Sequence, residues 1–322
     1  MISQTELARR LRVSQTAVSA ALRHREKELR LDPALAERIR ALAHRVGYRP
    51  NILARSLAQR RTHTLGVVVS DFSDPTFGSL LNHLQRQASR SGHELVVTGC
   101  GDDVAETLRI WERLLQRRVD AALWIDRPPH VTLSRLKRLW KLGGLRVIGI
   151  GTAFRKAGIP AVVFDSRDAV RQLARIIPPL RKSPIVFVRS HPDGEFSEWR
   201  WECVRQTWGG QCVEVDCRNG LDFQQIARLR TSGGPLPILG DQDLTSLKIL
   251  HLLLTSGWLP RRDFLLGSFD GLPWLQELKP ALTSVAQPLE MMARRAIQLA
   301  LQPGLKNELS SVCGKLIRGE TI

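Results

Sequence analysis

TELARRLRVSQTAVSAAL, residues 5–22, decides the reading of the first fifth of this 322-residue chain and, through it, of the rest. Leu7, Ala8 and Leu11 recur at helical spacing, and Arg9, Arg10 and Arg12 lie around the other side. Val13 and Ser14 break the pattern. Ser14 is a good N-cap, because its hydroxyl can accept a hydrogen bond from an amide at the start of the next helix. That helix is expected over residues 15–22, with Val18, Ala21 and Leu22 facing inward. Two short helices with a tight turn and small residues at the crossing read as a helix-turn-helix, whose second helix enters the DNA major groove; the plainer alternative is an ordinary helical hairpin. Asp32 followed by Pro33 places a capping residue before a proline at the first helical position. It opens a third helix to about residue 46, which Gly47 ends.

Working outward, GYRPN (47–51), ARSLAQRRT (54–62) and LGVVVSDFSDPTFGSLL (65–81) join VSQTAVSAAL (13–22) in a specific order and spacing. With these motifs the chain resembles the lactose-repressor/galactose-repressor (LacI/GalR) family of bacterial transcription regulators. The resemblance implies a homodimer on a palindromic double-stranded DNA operator, with a hinge helix in the linker that forms when the dimer sits on DNA. The DNA-binding residues it implies are Thr5, Ser14, Gln15, Thr16, Ser19, Arg23, Tyr48, Asn51, Arg55 and Leu57. Leu57 matches the leucine that wedges into the minor groove, where unstacking a base step permits a bend that adds contact. The resemblance also implies a periplasmic-binding-protein-like α/β effector domain of two parallel-sheet subdomains. Its chain would cross between them three times, near Ile159, Gln287 and Leu305. The expected division is a head at 1–49, a hinge and linker at 50–63, one subdomain at 64–158 plus 287–305, and the other at 159–286 plus 306–322.

Charge agrees with this division. The net charge of the chain is +17. Residues 1–63 carry fourteen Arg and Lys against five Asp and Glu, so the basic excess is densest there, as suits a polyanion-binding head. A high-GC coding bias also favours arginine and accounts for part of the excess. No run is apolar and long enough to span a membrane and the N-terminus has no apolar signal core, so a cytoplasmic protein, nucleoid-associated when on its operator, is expected. The five cysteines are scattered and read as free thiols. Cys212 and Cys217 lack zinc-finger spacing to a second pair, so neither a metal site nor a cofactor is expected.

From Leu65 onward apolar β-branched runs alternate with helical patterns, which means parallel sheets with helices on both faces. A second such set is expected to start at AVVF, residues 161–164. Two open α/β units place a ligand cleft between them at the carboxyl ends of strands. The polar residues there would be Asp71, Asp74, Asp126, Asp165, His191, Asp193, Arg200, Asp243 and Asp270, with Phe72 and Phe77 as aromatic neighbours. Carboxylates, an arginine and rings suit a hydroxyl-rich ligand. The resemblance sharpens the effector-binding set to Asp71, Phe77, Asp126, Asp165, Arg200, Phe223, Asp243 and Asp270. For each carboxylate the competing reading is a helix N-cap. Catalysis has no support: nucleophile elbow, P-loop and metal-binding helix motif are all missing, and Gly149 and Gly151 make only part of a dinucleotide fingerprint. Trp199, Trp201 and Trp208 read as core or interface.

The expected function is a DNA-binding regulator, by preference a repressor, controlled by a sugar or sugar derivative. The rival is a sugar-binding protein without a DNA role; the basic head and the missing signal core speak against it. Some residues depart from the family. Ala17, Val18, Ser19 and Ala20 stand where Thr-Val-Ser-Arg is common, and Cys203 and Val204 replace a glycine and an aromatic beside Arg200. HREKELRLD, residues 24–32, is more charged than the usual loop before the third helix.

Overall fold

The computed structural model describes residues 2–49, 61–100, 104–125, 133–154, 158–177, 183–231, 234–302 and 309–322. It divides into two compact units, residues 1–62 and 63–322.

The first unit holds α1 (Gln4–Leu11), α2 (Gln15–Leu22) and α3 (Pro33–Arg45). Each start is capped by a side chain. Ser3 accepts from the Glu6 amide at 3.1 Å, Ser14 from the Ala17 amide at 3.1 Å, and Asp32 from the Ala34 amide at 3.2 Å. Arg12 turns left-handed, φ 54° and ψ 44°, to end α1 and aim the chain into α2. Gly47, with φ +64°, does the same after α3, where a side chain would be strained. Leu7, Val18, Ala21, Ala36 and Ile39 are fully buried and knit the three helices together. The charged loop has a role here: Glu26 pairs with Arg40 of α3, which also reaches Glu37 at 3.0 Å and the Ala21 carbonyl at 3.1 Å. One guanidinium thus joins the loop and α3 to the end of α2.

The second unit runs β1 (Thr64–Val69), α4 (Pro75–Arg90), β2 (Glu94–Gly99), α5 (Val104–Gln116), β3 (Ala121–Ile125), α6 (Leu133–Leu142), β4 (Val147–Ile150) and β5 (Ala161–Phe164). It continues with α7 (Ser166–Ala174), β6 (Ile185–Arg189), α8 (Glu195–Trp208), β7 (Cys212–Asp216), α9 (Phe223–Ala227), β8 (Leu236–Gly240), α10 (Asp243–Thr255) and β9 (Phe264–Asp270). It ends with β10 (Thr283–Ala286), α11 (Leu289–Leu301), β11 (Leu309–Val312) and β12 (Lys315–Ile317). One sheet has the order β11-β5-β4-β3-β1-β2 and is parallel throughout. The other has the order β12-β10-β9-β8-β6-β7 and is parallel except for β12.

This topology corrects two of the expected crossings. AVVF, expected to begin the second sheet, is β5 of the first, where Ala161 lies beside Gly149 of β4 and Leu309 of β11. An apolar β-branched strand carries no label saying which sheet it joins; only its neighbours decide. The chain therefore leaves the first sheet after Phe164 rather than near Ile159, and its last crossing falls between β11 and β12 rather than near Leu305. The elements after Asp270 had no reading from sequence.

Both sheets are sandwiched by helices. On one face of the first, Leu65, Val67, Leu123 and Ile148 pack with Leu84 of α4 and Ala296 of α11. On the other, Trp111, Trp124 and Trp140 meet edge to face, with centroids 4.8 to 6.0 Å apart. Gly149 is needed there for room, since a Cβ would come within 2.2 Å of Phe154. Trp199 and Trp201 are buried in the second sheet's core.

Candidate functional site

On the first unit, α2 buries Val18, Ala20 and Ala21 and turns Gln15 and Thr16 outward. Thr5, Ser14 and Arg23 are exposed beside them, while Ser19 and Tyr48 are half-buried, the latter against the helical core. Gln15 and Thr16 thus offer hydrogen-bonding groups of the kind that read base edges in a major groove. Asn51, Arg55 and Leu57 lie outside the described residues. The burial of Ala20, 4% exposed, adds to the departure noted there: this position is packed rather than presented.

In the second unit a cavity opens at the carboxyl ends of both sets of strands. From the first sheet come Ile125, Ile150 and Phe164, with Asp74, Thr76 and Phe77 at the start of α4. From the second come Phe196 and Arg200 of α8, Gln242 after β8 and Asp270 at the end of β9. Gln287, Leu289 and Met292 close it at the crossing into α11. The wall is mostly apolar, with a few convergent polar groups, the usual constitution of a small-molecule site.

Arg200 is the centre of those groups. Its guanidinium is buried, donates to the Asp241 carbonyl, and lies 2.9 Å from Asp270 Oδ1. Phe269, Phe196 and Phe164 surround it with ring centroids at 4.9, 5.4 and 5.7 Å, each placed for a cation–π contact. Its Nε is buried without a hydrogen-bond partner among the described residues. Asp241 supports the arrangement from behind: its carboxylate accepts from the Ser190 amide at 3.0 Å and the Ser197 hydroxyl at 2.8 Å.

Asp270 has three unusual properties at once. It is buried, it accepts from Arg200 at 2.9 Å and from Gln287 Nε2 at 2.7 Å, and its backbone sits at φ +109°. A non-glycine residue held there costs of order 1–3 kcal/mol, a strain found where surroundings over-determine a functional position. Burial, the largest cause, pushes its carboxyl up to about 7, aided by Asp243 and Asp74 and opposed by Arg200 and Gln287. Because the folded value lies above the ordinary 3.8, the folded state holds a proton that the unfolded chain has lost. Its stabilising contribution is therefore complete below about pH 4 and lost as pH rises through about 7. Urea unfolding across that range should show stability falling with pH by a smaller amount in Asp270→Asn than in wild type; equal slopes would contradict it.

A family profile described as "Periplasmic binding proteins and sugar binding domain of LacI family" matches residues 62–196. The "Catabolite repressor/activator" of Salmonella typhimurium is 24% identical over 310 residues, 92% of this chain and 90% of that one. Over these residues the chain is similar to regulators of the LacI family. Among solved structures, a Lac repressor dimer bound to operator and the anti-inducer ONPF superposes with a TM-score of 0.83 at 16% identity, covering 99% of this chain and 98% of that one. A transcriptional regulator CelR–cellobiose complex gives 0.65 at 19% identity with 100% of both chains covered. At these identities the likeness is one of fold.

Against this family frame, the cavity brings together only Phe77, Arg200 and Asp270 of the eight expected effector residues. Asp126 lies outside the described residues. Four others are placed elsewhere, each for a local reason. Asp71 folds back on its own loop, accepting from the Ser73 amide and hydroxyl at 2.7 Å. Asp165 caps α7 through the Arg167 amide at 3.0 Å and the Asp168 amide at 3.2 Å. Phe223 packs edge to face on Trp258, centroids 5.3 Å apart. Asp243 is fully buried beneath the cavity, its oxygens taken by the Leu272 amide and the Ser284 hydroxyl at 2.7 Å each, and burial pushes its carboxyl up. His191 and Asp193 also stand off the cavity: the former bonds Ser190 at 2.9 Å and the latter pairs with Arg218 at 2.8 Å. The residues that sequence reasoning left out are Thr152, Phe164, Phe196, Gln242 and Gln287. Gln242 is the legible one, since it stands two residues after PILG and directly before Asp243.

Proposed function

We propose that this protein is a homodimeric transcriptional regulator, a repressor in its simplest mode, whose operator affinity is set by a sugar or sugar derivative in the cavity around Arg200. The observation that carries the reading is the joining in one chain of two devices. One is a basic three-helix unit that turns Gln15 and Thr16 outward; the other is a cavity between two sheets with an arginine and a carboxylate at its centre. The relative named catabolite repressor/activator and the operator-bound and cellobiose-bound family structures support both halves. A ligand that prefers one arrangement of the two sheets changes operator affinity by its differential affinity for the two, and by no more. The proposed contacts to DNA are Thr5, Ser14, Gln15, Thr16, Ser19, Arg23 and Tyr48, with Asn51, Arg55 and Leu57 of the linker. Those to the sugar are Phe77, Asp74, Arg200, Gln242, Asp270 and Gln287. The protein acts in the cytoplasm, and no described helix is long and apolar enough to cross a membrane.

The test is selection of duplexes by the full-length chain, followed by fluorescence anisotropy with and without a panel of mono- and disaccharides. A selected duplex should bind far above random DNA, and one sugar class should shift its affinity. Gln15→Ala should weaken the selected duplex by about 1–3 kcal/mol, roughly five- to 150-fold, while random DNA changes little. If the chain enriches no duplex over random sequence, the regulator reading fails.

A further inference from the structure

His63, His93 and Asp120 stand immediately before β1, β2 and β3, three neighbouring strands in the order β3-β1-β2. Register fixes them side by side: Thr64 lies opposite Glu94 and Leu65 opposite Ala121, so the preceding residues form one row at the end of the sheet away from the cavity. One possible ligand atom from each lies within 4.8 Å of the others. His93 Nε2 is 3.6 Å from Asp120 Oδ2, close to the edge of about 3.3 Å expected between two ligands of a tetrahedral ion with bonds of about 2.0–2.1 Å. Both side chains are largely buried, 11% and 15% exposed.

The outer contacts favour coordination. His93 Nδ1 lies 2.8 Å from the Ser91 carbonyl, which can only accept, so Nδ1 donates there and Nε2 is the nitrogen left to face Asp120. A backbone carbonyl on the far nitrogen is how ligating histidines are oriented. Asp120 is held as well, by the His63 amide at 2.9 Å. The two imidazoles are tilted at 49° with centroids 5.4 Å apart, so they converge instead of stacking.

We propose that these three residues form a binding site for a divalent first-row transition ion. Two imidazole nitrogens and one carboxylate suit Zn²⁺ and its neighbours, whereas Mg²⁺ and Ca²⁺ prefer oxygen throughout. Water completes the shell. Because His63 is the first residue of the second unit, an ion here ties the end of the linker to the sheet at the start of β1. The site lies at the opposite ends of these strands from the cavity. It also runs against the expectation of no metal, which rested on cysteine spacing and on the missing metal-binding helix motif.

Zinc titration of the tag-free, chelator-stripped full-length chain under reducing conditions tests this, with calorimetry and metal analysis as readouts. Expected are one Zn²⁺ per chain, a rise in unfolding temperature with added zinc, and visible d–d bands of four-coordinate Co²⁺ without thiolate charge transfer. His93→Gln should weaken binding at least about tenfold while leaving the metal-free unfolding midpoint unchanged. His63→Gln is the second variant should His93→Gln alter that midpoint. Cys212→Ser with Cys217→Ser should bind as wild type. The proposal is overturned if wild type takes up no zinc at about 100 µM, if both histidine variants bind like wild type, or if only the cysteine variant loses the ion.

Discussion

Raising salt from about 50 to about 200 mM lowers the affinity of the full-length chain for its selected operator by about four orders of magnitude. The reason lies in which head arginines remain available. Arg9 and Arg10 pair with Glu6, Arg25 with Glu28, and Arg40 with Glu26 and Glu37. Arg12, Arg23, Arg30, Arg38 and Arg45 are exposed and have no ion-pair partner among the described residues. If about four cations per head meet phosphates, a dimer neutralises about eight, for a slope near −7 in log affinity against log salt. Random duplex should show a similar slope, because counterion release is blind to sequence. Anisotropy at several salt concentrations measures it. A slope flatter than about −2 would mean that the arginines of residues 1–49 face something other than a phosphate backbone.

Arg200→Ala destabilises the protein at both pH 5 and pH 8, and by about 1.4 kcal/mol more at pH 8. Arg200 opposes the upward shift of the Asp270 carboxyl, so without it that carboxyl rises above about 7 and folding at pH 8 must take up a proton that the wild type largely does without. At the lower pH the carboxyl, already pushed up to about 7 by burial, is protonated and needs no counter-charge. The pH-independent remainder is lost packing against Phe164, Phe196 and Phe269. Replacing both partners, as in Arg200→Met with Asp270→Leu, should recover much of the loss, because the pH-dependent cost belongs to the orphaned carboxyl. Urea denaturation followed by tryptophan fluorescence gives all four corners of the cycle. A cost that is the same at both pH values would show that Arg200 acts through shape alone.

The three-helix unit was legible because its signals are local. Ser14, the small residues of α2, the Asp32-Pro33 start and Gly47 each act within a turn or two of backbone, and each is where its own chemistry puts it. The alternation of strands and helices was legible too, since continuous β-branched runs belong in buried parallel sheets. What the chain could not reveal is anything set by contact between distant segments. Asp165, Asp243 and Asp270 all follow or end strands and look alike in sequence. The fold makes the first a helix cap, the second an internal acceptor for Ser284 and Leu272, and only the third a wall of the cavity. AVVF joins the first sheet because β4 and β11 are there to receive it, which no local pattern encodes. His63, His93 and Asp120 are some thirty residues apart from one to the next and form no motif; strand order alone sets them within 4.8 Å. Capping and periodicity are short-range and survive in one dimension, whereas a site built across strands exists only once the hydrogen-bonded register of the sheets has been chosen.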